Sequence, residues 1–210
     1  MSEDVDPKRV VAFGEVLWDL LPDGRRLGGA PLNFAYRMRC LRDDAIIASR
    51  LGRDGLGREA ADRLARLGFD SRLIQYDDAH PTGTVPVTLD EHGSPEFTII
   101  PDVAYDYIEP TDALLNAAAG ADCVCFGTLV QRKAASRGAC RRVLAAAEKA
   151  LKLLDINLRR DCYTAGTVAE SVAHADVLKL NDSEALELTG LLGLPSDGVE
   201  GVARRLVERY

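Results

Sequence analysis

With 210 residues, 47% of them hydrophobic and 28% charged, the chain has the balance of a globular domain with a core of its own, and it is too short for two large ones. A net charge of −7 speaks against a general nucleic-acid binder, which needs a basic footprint to displace counterions. No apolar run approaches the roughly 20 residues that span a bilayer, so no membrane association is expected. The acidic start, Ser2-Glu3-Asp4-Val5-Asp6, is unlike a secretory signal, and we expect a cytoplasmic protein.

The first apolar run, Val10–Val16, is of strand length. Similar runs follow at Ala45–Ser49, Ala121–Phe126, Ala150–Leu154 and Asp176–Leu180. Between them lie segments with helical spacing: Pro31–Leu41, Arg58–Leu67 with Gly68 as a stop, Thr111–Ala119, Lys133–Ala147 and Thr164–Ala173. Strands buried on both faces and alternating with helices predict a mostly parallel, helix-covered sheet. Two stretches break the rhythm. Leu17–Leu27 turns through Pro22-Asp23-Gly24, and Thr84–Asp90 turns through Glu91-His92-Gly93-Ser94 before resuming at Pro95–Ile100. These read as hairpins, at about 17–29 and 82–101, forming a small β flap outside the main sheet.

The odd number of cysteines, five, lacks framework spacing and reads as reduced thiols. Cys123 and Cys125 alternate to one face of an apolar strand and read as core. His80, His92 and His174 have no partners at metal-ligand spacing; His92 reads as a turn residue and His80 as a weak candidate for ligand contact.

Four constellations could carry chemistry. Gly14-Glu15-Val16-Leu17-Trp18-Asp19 leads to Gly28-Gly29-Ala30-Pro31-Leu32-Asn33. Asp19 is expected just beyond the C-terminal end of the first strand, where open α/β sheets bind ligands. Its carboxylate suits a pair of hydroxyls, and Gly28-Gly29 lets backbone approach a ligand closely. Asn33, in the first helical turn, offers both donor and acceptor. Gly52-Arg53-Asp54-Gly55-Leu56-Gly57 fits neither a P-loop nor a dinucleotide fingerprint and reads mainly as structural. In Asp155-Ile156-Asn157-Leu158-Arg159 the first two polar residues share a face, and Arg159 is a candidate contact for an oxyanion or a solvated loop residue. Asn181-Asp182-Ser183-Glu184 has the form of a capping box. Glu184 could also hold Mg²⁺-bound water.

Taken in order, Gly28–Ala35, Arg50–Gly57, His80–Ile99, Phe126–Arg132, Asp155–Arg159 and Lys179–Glu184 resemble the PfkB (ribokinase-like) carbohydrate kinases, nearest in pattern to fructokinases, from about Val10 to Leu191. The resemblance implies a ribokinase-like α/β sheet with helices on both faces and a β lid. It implies transfer of the ATP γ-phosphate to a sugar, with Mg²⁺, and a small-molecule sugar as partner. On that pattern Asp19, Gly28, Gly29, Asn33 and the flap residue Phe97 hold the sugar, and Arg159 sits near the transferred phosphate. Asn181 and Glu184 associate with phosphate and Mg²⁺, with no direct metal ligand among the residues present. Relatives often carry Gly where Arg42-Asp43-Asp44 stands here.

The family's Gly-Ala-Gly-Asp segment, which supplies the anion hole and the catalytic Asp, occurs nowhere in the chain and is expected beyond Tyr210. The expectation is therefore a single α/β domain that is incomplete at its C-terminus and does not phosphorylate sugar by itself. Other PfkB specificities (2-keto-3-deoxygluconate, ribose or nucleoside) and a non-catalytic sugar-binding or dimerising remnant stay open. The exposed flap edges also suggest a homodimer through the lid.

Overall fold

The structure, a computed structural model, describes residues 6–89, 95–195 and 198–210. In chain order its first elements are β1 (Arg9–Phe13), β2 (Leu17–Leu21), β3 (Gly24–Gly28), α1 (Ala30–Cys40), β4 (Asp44–Gly52) and α2 (Gly55–Arg66). Then come β5 (Ile74–Asp77), β6 (Gly83–Leu89), β7 (Pro95–Phe97), α3 (Asp112–Ala119), β8 (Cys123–Gly127) and α4 (Ala134–Ala146). The chain continues through β9 (Leu151–Asp155), α5 (Ala165–His174), β10 (Val177–Lys179), α6 (Asp182–Leu192) and α7 (Val199–Arg209), with 3-10 turns at Ala104–Tyr107 and Leu129–Gln131.

The apolar runs alternate between two cores. Val10 and Ala12 of β1, Ala45 and Ile47 of β4, and Cys125 of β8 face α1 and α2, where Leu32, Ala35, Ala60 and Leu64 meet them. Val11, Phe13, Ile46, Ala48, Val124 and Phe126 point the other way, into the side chains of α3 to α7. A strand buried on both faces must be apolar at every position, which is why these runs look continuous in the sequence. The helices are 8 to 13 residues long, marginal in isolation, so their stability comes from this burial. Cys125 is fully buried and Cys123 packs beside it as a half-buried neighbour; burial pushes the Cys123 thiol up to about 11.

The six strands of the main sheet run β10-β9-β8-β1-β4-β5, every pairing parallel. The edge strand β5, a mere four residues, was not predicted: at an edge it buries less and leaves a weaker pattern. The chain leaves β1 in one direction toward β4 and β5 and later returns to β1's other side as β8. That reversal opens a crevice at the carboxyl ends of β1 and β8.

The two hairpins join as one four-stranded sheet, β3-β2-β6-β7, outside the main sheet. Each hairpin is antiparallel, and they meet through parallel pairing of β2 with β6, Asp19 opposite Val85. The turn that contains His92 lies outside the described residues. Where the chain returns from this sheet, Arg132 clamps it. Its Nε and Nη2 donate to the two carboxylate oxygens of the fully buried Asp106 at 2.7 and 2.8 Å, and Nη2 also donates to Ile100 O.

Candidate functional site

A cleft of about 500 Å³ lies between the carboxyl ends of the main sheet and the small sheet. Strand alternation in β2 explains much of its wall. Trp18 turns into the core and donates from Nε1 to Leu56 O at 3.0 Å, so Leu17 and Asp19 on the opposite face line the cleft. Asp19 lies beyond the C-terminal end of β1, in the first strand of the hairpin expected at about 17–29. It sits inside β2, paired with Arg26 of β3. The small sheet, not the main sheet, carries this carboxylate.

Two glycines shape the opposite corner. A Cβ on Gly28 would lie 2.8 Å from Asp19 Oδ2, so the missing side chain is what makes room for the carboxylate. Gly29 caps α1 at φ 118, and a Cβ there would meet the Glu15 carbonyl oxygen at 2.2 Å. Only glycine satisfies both demands. Pro31 is the second residue of α1, and Asn33 in the first turn donates its backbone N–H to Gly29 O at 2.9 Å and lines the cleft.

The third wall is the end of β9 and the segment that follows it. Asp155, Asn157 and Arg159 all line the cleft, and the guanidinium of Arg159 lies 5.7 Å from the ring centroid of Phe97 on the small sheet. Asn157 has φ 39, in the left-handed region, and lines the same cleft as Asp155. Lys179 at the end of β10 binds Asp155 at 2.9 Å. Half-burial raises the Asp19 carboxyl above its ordinary range, against the opposing pull of Arg159.

Asn181 and Glu184 do not line the cleft. They form the capping box of α6: Asn181 Oδ1 accepts from Glu184 N at 2.9 Å and Glu184 Oε2 from Asn181 N at 2.9 Å. Glu184 Oε1 also accepts from Leu158 N at 3.0 Å, so this buried carboxylate buttresses the segment that carries Asn157 and Arg159. Gly52–Gly57 also stays out of the cleft; Asp54 caps α2 through Gly57 N and holds Thr82 N, at 2.7 Å each. His80 stacks on Tyr107 at 3.7 Å, with Asp77 Oδ1 3.1 Å from its Nδ1, also away from the cleft. Among the described residues no group of three or more His, Cys, Asp or Glu is arranged to hold a metal ion, and no helix is long and apolar enough to cross a membrane.

Sequence reasoning passed over Arg37 and Glu15. Arg37 stands one helical turn after Asn33, a spacing that puts both on one face. Glu15 lies at the base of the cleft, 2% exposed, with Oε1 accepting from Ala30 N at 3.2 Å. Burial pushes its carboxyl up to about 7.

The crevice at the strand reversal of the all-parallel sheet, faced by carboxylates, an amide and an arginine and roofed by a second sheet, has the size and polarity of a site for a small polar ligand. The chain belongs to the pfkB family of carbohydrate kinases, whose profile matches residues 13–209. It is 32% identical over 209 residues to a fructokinase of Klebsiella pneumoniae, covering 93% of this chain and 66% of that protein. A probable fructokinase-3 of Arabidopsis thaliana is 28% identical over 200 residues, covering 86% of this chain and 58% of that protein. The chain thus spans 58 to 66% of the length of these two relatives. Among solved structures, a fructokinase from Vibrio cholerae O395 bound to fructose, ADP and calcium ion superposes with a TM-score of 0.78 at 26% identity, over 96% of this chain and 67% of that one. An uncharacterized sugar kinase from Pyrococcus horikoshii gives a TM-score of 0.77 at 28% identity, over 90% and 70% of the two chains. The expected fold, a ribokinase-like parallel sheet with helices on both faces and a separate small β-sheet, is the one observed.

Proposed function

We propose that the cleft binds a sugar, fructose in the first place, and that the whole protein phosphorylates it with ATP and Mg²⁺ in the cytoplasm. The observation that carries this reading is the convergence of Asp19, Asn33, Asp155, Asn157 and Arg159 on one cleft in a chain of this family. Asp19 and Asn33 accept and donate hydrogen bonds to neighbouring sugar hydroxyls, and Gly28 and Gly29 let the backbone turn pass close to them. The small sheet acts as a lid, with Phe97 laid over the sugar and held near Arg159 by cation–π attraction. A closed lid excludes water and so favours transfer to sugar over hydrolysis.

The present residues fit a nucleotide and Mg²⁺ in part. Arg159 supplies a fork-shaped donor for a phosphoryl oxygen beside the sugar site. Each Glu184 oxygen already accepts one backbone N–H and keeps a second lone pair, enough for Mg²⁺-bound water though not for a dedicated metal cage. ATP would supply the phosphoryl group and Mg²⁺ the neutralising charge. The chain contains no Gly-Ala-Gly-Asp segment, so we expect these 210 residues to hold sugar without transferring phosphate.

Isothermal titration of this chain with fructose, ribose, 2-keto-3-deoxygluconate and a nucleoside tests the reading. Fructose should bind most tightly, and Asp19→Ala should weaken it by at least about tenfold, the loss of one charge-assisted hydrogen bond or more. Ribose or nucleoside binding with fructose excluded would move the specificity elsewhere in the family. Binding of none of them would overturn the sugar site.

A further inference from the structure

Glu15 is a buried carboxylic acid that lines the cleft; its own backbone N–H and that of Ala30 favour its ionised form, yet one of its two carboxyl oxygens lacks a hydrogen-bond partner. Oε1 takes the Ala30 N–H at 3.2 Å and thereby fixes the first turn of α1, which carries Asn33. Oε2 has no hydrogen-bond partner among the described residues. A buried polar atom without a partner costs about 1–3 kcal/mol, so a fold keeps one where a ligand completes it or leaves a penalty uncompensated. The Glu15 backbone also packs tightly against the Gly-Gly turn, since its carbonyl oxygen occupies the space a Gly29 side chain would need.

We infer that Glu15 is a further sugar-binding residue, whose Oε2 accepts a hydrogen bond from a hydroxyl of the bound sugar at the base of the cleft. The inference rests on the sugar-site reading above and adds to it a contact that Asp19 and Asn33 do not make. The charges around Glu15 come from every side. Asp155 at the end of β9 opposes its ionisation and Arg159 favours it, while Asp19 of β2, Arg37 of α1 and Lys179 of β10 line the same cleft. The Tyr105 phenol and the Cys125 thiol lie close enough to feel its charge. Desolvation is the largest influence and keeps the acid protonated to about pH 7 in the empty cleft. A hydroxyl donor stabilises the ionised form, so sugar binding is coupled to loss of this proton.

The sign follows directly. Sugar binds the ionised form better, so affinity is low below pH 7 and rises through it. A carboxyl titrating near 7 goes from about one tenth to about nine tenths ionised between pH 6 and pH 8, and fructose affinity should rise about tenfold over that interval. In Glu15→Gln the side-chain carbonyl still accepts from Ala30 N–H, but an amide N–H₂ replaces the acceptor Oε2. That variant should bind fructose about tenfold more weakly than the unchanged chain at pH 8, lose this pH dependence, and melt within a few degrees of it. Titration of the unchanged chain at pH 7 in two buffers of different ionisation enthalpy should show release of about half a proton per fructose bound.

The proton count decides the matter even if Glu15→Gln does not fold. Fructose binding with no proton released at pH 7, or a Glu15→Gln variant that keeps both the affinity and the pH slope, would overturn this inference and leave the sugar site standing. Failure of the unchanged chain to bind any sugar of the panel would overturn the sugar site and this inference together.

Discussion

Gly28 and Gly29 look equivalent in the sequence and are not equivalent in the structure. At Gly28 a methyl group would press on Asp19 Oδ2 at 2.8 Å, the far end of a side chain that can rotate away. At Gly29 it would meet a backbone oxygen at 2.2 Å, with φ at 118. Gly28→Ala should therefore fold with a stability within about 1 kcal/mol of the unchanged chain. It should lose fructose affinity by about tenfold, because Asp19 is displaced from its hydrogen-bonding position. Gly29→Ala should lose stability outright. Titration calorimetry paired with urea denaturation separates the two, and equal effects on both quantities at both positions would contradict this division. Asp19 and Asn33 were legible as polar residues beside a glycine pair. Glu15 was not, because nothing in Gly-Glu-Val marks a buried carboxyl until β1, α1 and β9 close around it.

Helix boundaries show the same division between local and distant causes. The capping box at Asn181 and Glu184 and the caps at Thr111 and Thr164 follow from side chains within three residues of the backbone they satisfy. The bond from Leu158 N to Glu184 crosses 26 residues of sequence and had no local signal. The end of α1 carries a local strain. After Leu41 the chain turns through Arg42 at φ 73, where an L side chain crowds its own backbone. The family resemblance marks the stretch Arg42-Asp43-Asp44 as one where relatives often carry Gly, and within it Arg42 has the positive φ that glycine adopts without strain. Arg42→Gly should stabilise the protein by about 0.5–1 kcal/mol, raising Tm by roughly 1–4 °C and leaving sugar binding unchanged. A drop in Tm would show that the Arg42 side chain makes a compensating contact.

At the scale of the molecule, the strongest charged tie near the return from the small sheet is the buried Asp106–Arg132 pair. Asp106 is fully buried and its two oxygens face Arg132 Nε and Nη2, whose side chain is 9% exposed. Removing one member leaves the other charge buried without a partner. Asp106→Ala should cost about 3–5 kcal/mol, read as a shift in the urea midpoint; a loss under about 1 kcal/mol would mean that water or rearrangement replaces the carboxylate. The stacked His80–Tyr107 pair joins the segment entering the small sheet to the one leaving it. The outer strand β3 of that sheet has no neighbour on its far side among the described residues, and its first three residues are exposed. Such an edge pairs readily with another copy, and we expect the protein to dimerise through it. Sedimentation equilibrium at micromolar concentration checks this: a monomer throughout would remove the lid-to-lid dimer.

The alternation of apolar runs with helical segments, the two hairpins and the caps could all be read from residues close together in the chain, because strand pleat, helix period and capping act over a few positions. The family likeness was readable for the same reason, as short motifs in a fixed order. What the chain order could not convey was which face of the first hairpin strand meets the cleft, and that Arg37, Lys179 and Glu15 line it with Asp19. Those placements depend on the β2–β6 pairing, on the reversal of strand order at β1 and β8, and on burial from several elements at once. Such long-range packing sets both the shape of the cleft and the elevated proton affinity of the carboxyl at its base.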